Sequence, residues 1–418
     1  MKLPRGAPLL LGLQFSDADG PTHVGRVAMS GGLAQLEWSS DVVRAQLPVD
    51  PILYPPEPGL VAARGRKFEG LHGFLADSLP EGWGRLLMRR RLAGLDYDIE
   101  DLTPLERLSL VGSQGRGALV FQPETTPANE FDALDLDELA AASAEILNGE
   151  EAALESTLAD LAGASGGARP KIHVGFDGAG RISVSHGEPA SGHEAWIVKF
   201  RATNDPVDIG PIEAAYAAMA VAAGLEVSEY RLLSAQQGPG YFSTRRFDRP
   251  RPGARLHMVS LAGAIEAEPS APTVSYDTFL RATQAITRHA EDVKAAYRRA
   301  VFNVLASNRD DHARQHSYLM DAQGVWRLAP AYDLTFSRGP GGEHYLAVEG
   351  EGRTPTHAHF ASLGARHGLS AAIIDQIVSQ AREAVAGWDR FATEAGVGGA
   401  SRRSISSVLA DVDRSFRS

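Results

Sequence analysis

Strand-like and helical patterns occupy separate blocks of this 418-residue sequence, and this segregation constrains the fold more than any other feature. Residues 1–70 alternate between apolar runs and Gly, Pro or Asp, and a second β-rich zone covers about 163–200. From about 251 onward the pattern is mainly helical. Blocks of strands and blocks of helices are typical of α+β proteins. We therefore predict an α+β chain of roughly two to three domains, because its length exceeds one compact core.

Charge is distributed unevenly along the chain. Residues 117–168 contain eleven acidic residues and neither Lys nor Arg. The charge of this stretch is therefore −11, which equals the net charge of the whole chain. We interpret this stretch as a solvated helical connector, with a docking face for a basic partner as the alternative. The arginines at 89–91 are interpreted as a solvated helix end. A domain boundary is expected near 125–150.

Composition excludes several kinds of function. The chain contains no cysteine, which excludes disulfides, thiolate metal ligands and cysteine nucleophiles. The short apolar run at 9–13 lacks a cleavage site, and no stretch approaches the ~18 apolar residues of a membrane helix. A pI of about 5.7 argues against a broad nucleic-acid-binding face. We expect a cytoplasmic protein that makes no contact with a membrane.

Two segments in the second half of the chain carry acidic side chains that suit phosphate chemistry. The segment 308–315 (NRDDHARQ) follows a helical pattern, and its Asp310 stands five residues before the amide of Gln315. This is the spacing of a kinase catalytic loop. Asp333 follows a short strand pattern 23 residues after Asp310, where kinases hold their chief Mg²⁺ ligand. A solvated helix end and a turn-capping aspartate are the respective alternatives.

Two further segments carry cations and small residues. Lys199 lies within an apolar strand pattern, where an ammonium group needs an anionic partner such as phosphate or Glu213. A lysine snorkelling from an edge strand is the alternative. Small residues at 163–168 precede Arg169 and Lys171, and such a loop lets backbone N–H groups approach phosphate oxygens, with a glycine-rich hairpin as the alternative. The order of these segments along the chain is that of a protein kinase domain, namely a phosphate loop, a strand with a lysine, a catalytic loop and a metal-binding aspartate.

The sequence resembles the HipA family of serine/threonine protein kinases, the toxins of bacterial toxin–antitoxin systems. The resemblance spans nearly the whole chain and rests on the strings 79–82 (LPEG), 115–119 (GRGAL), 165–171 (SGGARPK), 246–249 (RFDR), 257–263 (HMVSLAG), 308–313 (NRDDHA) and 330–334 (PAYDL). It implies a protein-kinase-like two-lobed catalytic unit with an N-terminal β-rich subdomain and a mainly helical C-terminal lobe. The domains would then be the subdomain at 1–125, the part with the phosphate loop and hinge at 126–250, and the helical lobe at 251–418.

The resemblance also implies roles for individual residues. Asp310 would be the catalytic base, and Asp333 and Gln315 would ligate Mg²⁺ and contact ATP. The other ATP-binding residues would be Gly166, Gly167, Ala168, Arg169, Pro170, Lys171, Lys199, Glu213, Arg245, Arg246, Phe247, His312 and Tyr332. In this set, 166–171 would form the phosphate loop and 245–247 the hinge beside adenine.

Two positions depart from the family pattern. The family autophosphorylates a serine in the phosphate loop, and the candidate here is Ser165, one residue from the usual position, which holds Ala164. Gln315 stands where the family usually has a metal-binding Asn, and its extra methylene lengthens the reach of the carbonyl oxygen. The first departure bears on the autoinhibitory switch of the family, and the second bears on activity.

The function implied by the resemblance is transfer of the ATP γ-phosphoryl group to a Ser or Thr of a protein target, which in this family includes translation factors. A small helix-turn-helix antitoxin similar to HipB is the expected partner, and DNA would be contacted only through it. Two alternatives stay open. One is a kinase of the same fold that acts on a small molecule or lipid, and the other is a catalytically weak module that binds an antitoxin or regulates it.

Overall fold

The computed structural model describes residues 6–126, 130–131, 134–164, 166–177, 180–185, 189–268 and 273–417. Ser165, the candidate for autophosphorylation, lies outside the described residues. Three sheets and the helices packed around them make up this part of the chain. None of the helices described there combines the length and the apolar character that crossing a bilayer requires.

The first sheet is formed by the N-terminal residues, as their alternating pattern predicts. Its strands are β1 (Leu9–Leu13), β2 (Thr22–Ser30), β3 (Leu33–Trp38), β4 (Leu60–Ala62) and β5 (Leu119–Gln122), in the order β4-β3-β2-β1-β5. The helices of this part are α1 (Ser40–Ala45), α2 (Gly73–Ala76), α3 (Gly82–Ala93) and α4 (Pro104–Val111), with a 3-10 turn at Ile99–Asp101. In β1, Leu9 and Leu11 are buried whereas Leu10 is exposed, so alternate side chains face the core.

The second sheet has six strands and covers the middle of the chain. They are β6 (Glu130–Phe131), β7 (Lys171–Phe176), β8 (Ile182–Ser185), β9 (Glu194–Lys199), β10 (Tyr230–Leu233) and β11 (Tyr241–Arg245), in the order β10-β11-β9-β7-β8-β6. Its helices are α5 (Leu136–Leu147), α6 (Glu155–Ala162) and α7 (Ile209–Ala222). The register of β7 and β9 places Lys171 opposite Lys199, so two lysines predicted to bind phosphate are brought together.

The third sheet is small and lies within the helical C-terminal lobe. Its strands β12 (His257–Ser260), β13 (Ser317–Met320) and β14 (Trp326–Leu328) pair in that order. The helices are α8 (Leu261–Ile265), α9 (Tyr276–Thr287), α10 (Ala290–Leu305), α11 (His357–Arg366), α12 (Ala371–Ala386), α13 (Trp388–Glu394) and α14 (Gly399–Phe416), with 3-10 turns at Ala313–Gln315 and Pro340–Gly342. Helix α10 packs against α9 and α12 and ends directly before the predicted catalytic loop.

Two large hydrophobic clusters hold the sheets and helices together. The larger cluster joins the first sheet to the C-terminal helices, since Leu11 and Phe121 share it with Tyr276 and Phe302. The second cluster fills the space between the second sheet and helices α3, α5 and α6, and it includes Trp83. Because α3 lies between β4 and β5 of the first sheet in sequence but packs on the second sheet, it links the N-terminal part of the chain to the sheet that carries the lysines.

The acidic stretch 117–168 is not a solvated connector, so that interpretation is wrong. Its helices α5 and α6 bury Leu139, Ala142, Ile146, Leu158 and Leu161 against the second sheet. Two of the arginines interpreted as solvated pair with this stretch, because Arg90 lies 2.7 Å from Glu155 and Arg91 lies 2.6 Å from Asp160. The packing of α3 on α6 therefore brings the basic and acidic segments together, and each partly neutralises the other.

Stability should depend on pH through buried histidines. Burial lowers the pKa of His72 and His257 to about 4 and that of His316 to about 3. Below pH 6.5 the unfolded chain therefore binds more protons than the folded chain. Asp50 has the opposite effect, because burial raises its pKa to about 6 and its carboxyl group then binds a proton in the folded chain that it does not bind in the unfolded chain. Since three groups outweigh one, we expect the free energy of unfolding to fall by on the order of 3 kcal/mol between pH 7 and pH 5.

Urea unfolding followed by circular dichroism at the two pH values measures this difference. The variant His257→Gln should show a smaller difference, because the amide can accept no proton while it can still donate to the carbonyl oxygen of Val49, 2.9 Å from the histidine nitrogen. A free energy of unfolding that is equal or higher at pH 5 would contradict the prediction.

Candidate functional site

A buried ion cluster lies where β9, α7 and the loop after β14 meet. The Lys199 ammonium lies 2.9 Å from the Glu213 carboxylate and also pairs with the carboxylate of Asp333. Lys199 and Glu213 are 8% and 2% exposed. Strand β9 lies between β11 and β7, so the alternative of a lysine snorkelling from an edge strand is wrong. A cation buried this deeply is stable only beside anions, and the two carboxylates meet that requirement.

Asp333 is held in the cleft as a carboxylate. Its backbone is in the left-handed region, with φ of 52°. Although burial opposes ionisation, Lys199 and Lys171 hold the pKa of Asp333 well below its usual range. The preceding residue, Tyr332, donates from its hydroxyl to the carbonyl oxygen of Arg314 at 2.6 Å. This hydrogen bond ties the loop of Asp333 to the predicted catalytic loop.

Lys171 adds a second buried cation on the neighbouring strand. Its ammonium donates to the carbonyl oxygen of Gly166 at 2.6 Å. Burial lowers the pKa of Lys171 to about 8, an effect that Asp333 opposes and Lys199 reinforces. Two lysines therefore face one another across β7 and β9, and an anion between them would stabilise both charges.

The glycine-rich loop packs on the first turn of α3. The backbone N–H of Trp83 donates to the carbonyl oxygen of Gly167 at 3.0 Å, and its indole donates to that of Lys171 at 3.2 Å. Gly82 approaches so closely that a β-carbon on it would lie 2.4 Å from the Gly167 oxygen. Gly166, Gly167 and Lys171 line the cleft. Gly166 and Gly167 thus lie at the cleft, and the N-terminal part of the chain holds the loop there.

Three other residues of the predicted phosphate loop do not line the cleft, namely Ala168, Arg169 and Pro170. The Arg169 guanidinium lies 2.7 Å from the carboxylate of Asp205 and also pairs with Glu213. Although burial opposes the charge, these two carboxylates raise the pKa of Arg169. The side chain is therefore directed to Asp205 and Glu213 instead of into the cleft, where the sequence analysis expects it to contact phosphate.

The segment 308–315 runs along the mouth of the cleft. The Asp310 side chain is 51% exposed, and His312 Nε2 lies 4.0 Å from its carboxylate. The surrounding chain still removes enough water to raise the pKa of Asp310, against the influence of His312 and together with that of Asp333. His312 lines the cleft, whereas Asp310 stands beside it at the mouth.

Asp311 anchors this loop, although the sequence predicts no role for it. The residue is fully buried and accepts hydrogen bonds from the Tyr276 hydroxyl at 2.5 Å, from His344 Nδ1 at 2.9 Å and from the Tyr345 backbone N–H at 2.9 Å. Burial opposes the charge, but His344 and these hydrogen bonds lower the pKa of Asp311. Adjacent aspartates thus differ in burial, and no local signal in the sequence distinguishes Asp311 from Asp310.

The predicted hinge lies along one side of the cleft. Arg245, Arg246 and Phe247 all line it. The Phe247 ring lies 5.3 Å from the ring of Tyr332, centroid to centroid. The Arg246 guanidinium is buried and lies 2.7 Å from the carboxylate of Asp248, so this side chain already has a partner. A ligand at this side would meet backbone groups and the face of Phe247.

Two residues from the N-terminal part also line the cleft, Glu81 and Arg116. Glu81 pairs with Arg314 of the predicted catalytic loop, and Arg116 donates to the carbonyl oxygen of Asp77. Both residues belong to the strings that carry the resemblance to the HipA family, but the sequence predicts no role for them. Their partners are distant in sequence, so only the fold reveals these contacts.

The groups in the cleft fit a nucleotide with a divalent cation. Asp333 and Gln315 both line it and offer a carboxylate and an amide oxygen, the ligands that Mg²⁺ prefers. In the described ranges of the chain, no group of three or more His, Asp or Glu side chains could hold a metal by itself. Mg²⁺ needs only one or two protein ligands where phosphate oxygens and water complete its coordination. The cavity measures about 180 Å³, below the ~300 Å³ of most ligand pockets, so it must widen to admit a nucleotide.

Comparisons with known proteins agree with this geometry. The family described as HipA N-terminal domain matches residues 20–122, and the family described as HipA-like C-terminal domain matches residues 163–388. This chain is similar to HipA from Shewanella oneidensis MR-1, which was solved in complex with HipB and its operator DNA. The match covers 97% of this chain and 96% of the HipA chain. The TM-score is 0.69 and the sequence identity is 16%, so the two proteins share the kinase-like two-lobed fold.

A curated relative from Sinorhizobium fredii, Y4mE, is named provisionally as a kinase. It is 27% identical over 190 residues, which are 43% of this chain and 39% of the relative. The chain therefore spans about two fifths of the length of this curated relative. The match at residues 163–388 extends over more than half of the chain, and the second match covers most of what precedes it. The chain therefore belongs to the HipA family.

Proposed function

We propose that this chain is an ATP- and Mg²⁺-dependent serine/threonine protein kinase, a HipA-like toxin that acts on a protein target such as a translation factor. The observation that carries the proposal is one cleft in which Lys199 pairs with Glu213 and Asp333 and which Gln315 also lines, with Asp310 at its mouth. A cation for phosphates, oxygen ligands for a metal and a carboxylate for the acceptor are what phosphoryl transfer requires.

The cleft would bind the nucleotide through its cations and its loop. Lys199 would keep Glu213 as a partner and exchange Asp333 for phosphate oxygens, which frees Asp333 to act with Gln315 as a metal ligand. Bound Mg²⁺ would neutralise the charge on the phosphates. Lys171 and the N–H groups of the glycine-rich loop would face the remaining phosphate oxygens. The backbone of the predicted hinge would hold adenine.

Asp310 would orient the acceptor hydroxyl and take its proton. The hydroxyl oxygen bonds to the γ-phosphorus while the bond from that phosphorus to the ADP oxygen breaks. The raised pKa of Asp310 makes it a stronger base, and it also requires a pH high enough to ionise the carboxyl. The buried Asp311 would hold the loop so that Asp310 stays at the mouth.

A small helix-turn-helix antitoxin similar to HipB is the proposed partner, and DNA would be contacted through it. The Shewanella HipA was solved with HipB and operator DNA, which supports a similar complex for this chain. The cytoplasm is the proposed location, and Ser165 is the proposed site of autophosphorylation. The domain limits 1–125, 126–250 and 251–418 belong to the same proposal.

Asp310→Asn should lower kcat by about 10²–10⁴-fold, because an amide cannot accept the proton of the acceptor. The purified protein is incubated with Mg²⁺ and γ-labelled ATP, alone and with a cell extract, and labelled residues are mapped by mass spectrometry. The matched control is Asp96→Asn, which changes an exposed aspartate that does not line the cleft and should label as the wild type does.

The outcomes separate the proposed kinase from its alternatives. Labelled serine or threonine in proteins, lost in Asp310→Asn, would support the protein kinase, and label on Ser165 would support autophosphorylation. Transfer to small molecules alone would favour a small-molecule or lipid kinase. Binding of ATP without transfer to any acceptor would favour a binding module. Equal labelling by wild type and Asp310→Asn would refute the role of Asp310.

Gln315→Asn should lower the Mg²⁺ concentration for half-maximal transfer by roughly threefold or more, because Mg²⁺ tolerates little misplacement of its ligands. Gln315→Ala, which removes the carbonyl oxygen, should raise that concentration. Initial rates across a Mg²⁺ titration measure both effects. If the two variants share the Mg²⁺ dependence of the wild type, Gln315 is not a metal ligand.

A further inference from the structure

Arg116 reaches the cleft from the N-terminal part of the chain, and the roles proposed above make no use of it. It lies between helix α4 and strand β5, outside the two lobes of the catalytic unit. Its side chain lines the cleft together with the glycine-rich loop and Asp333. The cleft therefore contains a cation that neither lobe supplies.

The Arg116 guanidinium lies beside the glycine-rich loop and near the loop of Asp333. A β-carbon built on Gly166 would lie 3.1 Å from Arg116 Nη1. Burial raises the pKa of Tyr332, whereas the hydrogen bond with Ser317 and the charge of Arg116 lower it. Because Tyr332 directly precedes Asp333, this charge is close both to the loop proposed to hold phosphate and to the loop proposed to hold the metal.

The chain satisfies the Arg116 guanidinium only in part. Its Nη2 donates to the carbonyl oxygen of Asp77, and its Nε is buried without a hydrogen-bond partner. The Glu81 carboxylate lies 3.7 Å from the same β-carbon position on Gly166, but it pairs with Arg314. Arg116 itself forms no ion pair with a carboxylate in the ranges that the structure describes, so its charge is available to a ligand.

Lys171 approaches the same glycine from the second sheet. Its ammonium donates to the carbonyl oxygen of Gly166 at 2.6 Å and forms no ion pair with a carboxylate in the described part of the chain. A β-carbon built on Gly167 would lie 3.1 Å from this ammonium. Two cations from different parts of the chain thus meet the loop at adjacent glycines, and an anion there would be attracted by both.

The buried ion cluster around Lys199 leaves no excess of positive charge for phosphate. Three cations stand there against three carboxylates, namely Lys171, Lys199 and Arg169 against Glu213, Asp333 and Asp205. Phosphoryl transfer places negative charge on the oxygens of the transferred group, and in several enzyme classes an arginine stabilises it. Arg116 adds positive charge to the cleft that this cluster does not neutralise.

We propose that Arg116 is a nucleotide-binding residue whose guanidinium donates to a phosphate oxygen beside Gly166, so that the N-terminal part of the chain completes the phosphate-binding site. The inference rests on the proposed kinase function and adds a residue to its site. Arginine suits this position because its planar group carries several donors, so one can bind phosphate while Nη2 keeps its bond to Asp77.

Binding of ATP and of adenosine to the purified protein separates a phosphate contact from a general effect on the cleft. Arg116→Gln removes the charge but keeps a side-chain N–H. Measured by isothermal titration calorimetry with Mg²⁺, ATP binding should weaken by roughly tenfold or more, since a charge-assisted hydrogen bond is lost. Binding of adenosine, which has no phosphate, should be unchanged. Arg116→Lys keeps the charge and should bind ATP with intermediate affinity.

The matched control is Arg298→Gln. This half-buried arginine likewise donates to a backbone carbonyl oxygen, that of Ala223 at 2.9 Å, but it does not line the cleft. The variant should bind ATP and adenosine as the wild type does.

Each outcome decides the inference. A loss confined to ATP, partly restored in Arg116→Lys, supports it. Equal ATP affinity in the wild type and Arg116→Gln would overturn it while the kinase function stands. An equal loss for ATP and adenosine would also overturn it, because Arg116 would then only maintain the shape of the cleft. A wild type that neither binds ATP nor transfers phosphate would refute both proposals.

Discussion

The buried ammonium group of Lys199 forms ion pairs with carboxylates on both sides of the cleft. The Lys199 ammonium is largely removed from water, and removing one partner of such a buried pair typically costs about 3–5 kcal/mol. Its partners come from different places, Glu213 from α7 and Asp333 from the loop after β14. Glu213 belongs to the same part of the chain as Lys199, whereas Asp333 belongs to the C-terminal lobe, so the second ion pair joins the second sheet to that lobe across the cleft.

The same cluster explains why the cleft is narrow. Lys199 takes Asp333 as a partner and Lys171 takes the carbonyl oxygen of Gly166, so the cations of the site are satisfied within the chain. Phosphate groups would compete with these internal partners. Under the proposed function, binding of a nucleotide would be an exchange of partners around two lysines, and the volume of about 180 Å³ is that of the cleft with the internal partners in place. The side chains proposed to bind the nucleotide already lie close together, but Lys199 and Lys171 would have to exchange their present partners for phosphate oxygens.

The sequence predicts the fold class and most of the cleft for physical reasons that are local. Separate blocks of strand and helix patterns suffice for an α+β chain, and a lysine in an apolar strand requires an acid nearby, which identifies Glu213 as the partner of Lys199. The choice among several possible partners is not local. Arg169 takes Asp205 and Glu213 instead of facing the cleft, and Asp311 is buried where Asp310 is exposed. Both outcomes depend on segments more than thirty residues away, namely Asp205 for the first and His344 for the second.

The N-terminal part of the chain belongs to the site as much as the two lobes do. Trp83 donates to carbonyl oxygens at two positions of the glycine-rich loop, Gly167 and Lys171, and Glu81 pairs with Arg314 of the predicted catalytic loop. One turn of α3 therefore contacts both the loop proposed to bind phosphate and the loop that carries the proposed base. Because Trp83 is buried in the core of the second sheet, α3 cannot shift without disturbing that core. Contacts with α3, which belongs to the N-terminal part of the chain, thus fix the position of the two loops relative to each other.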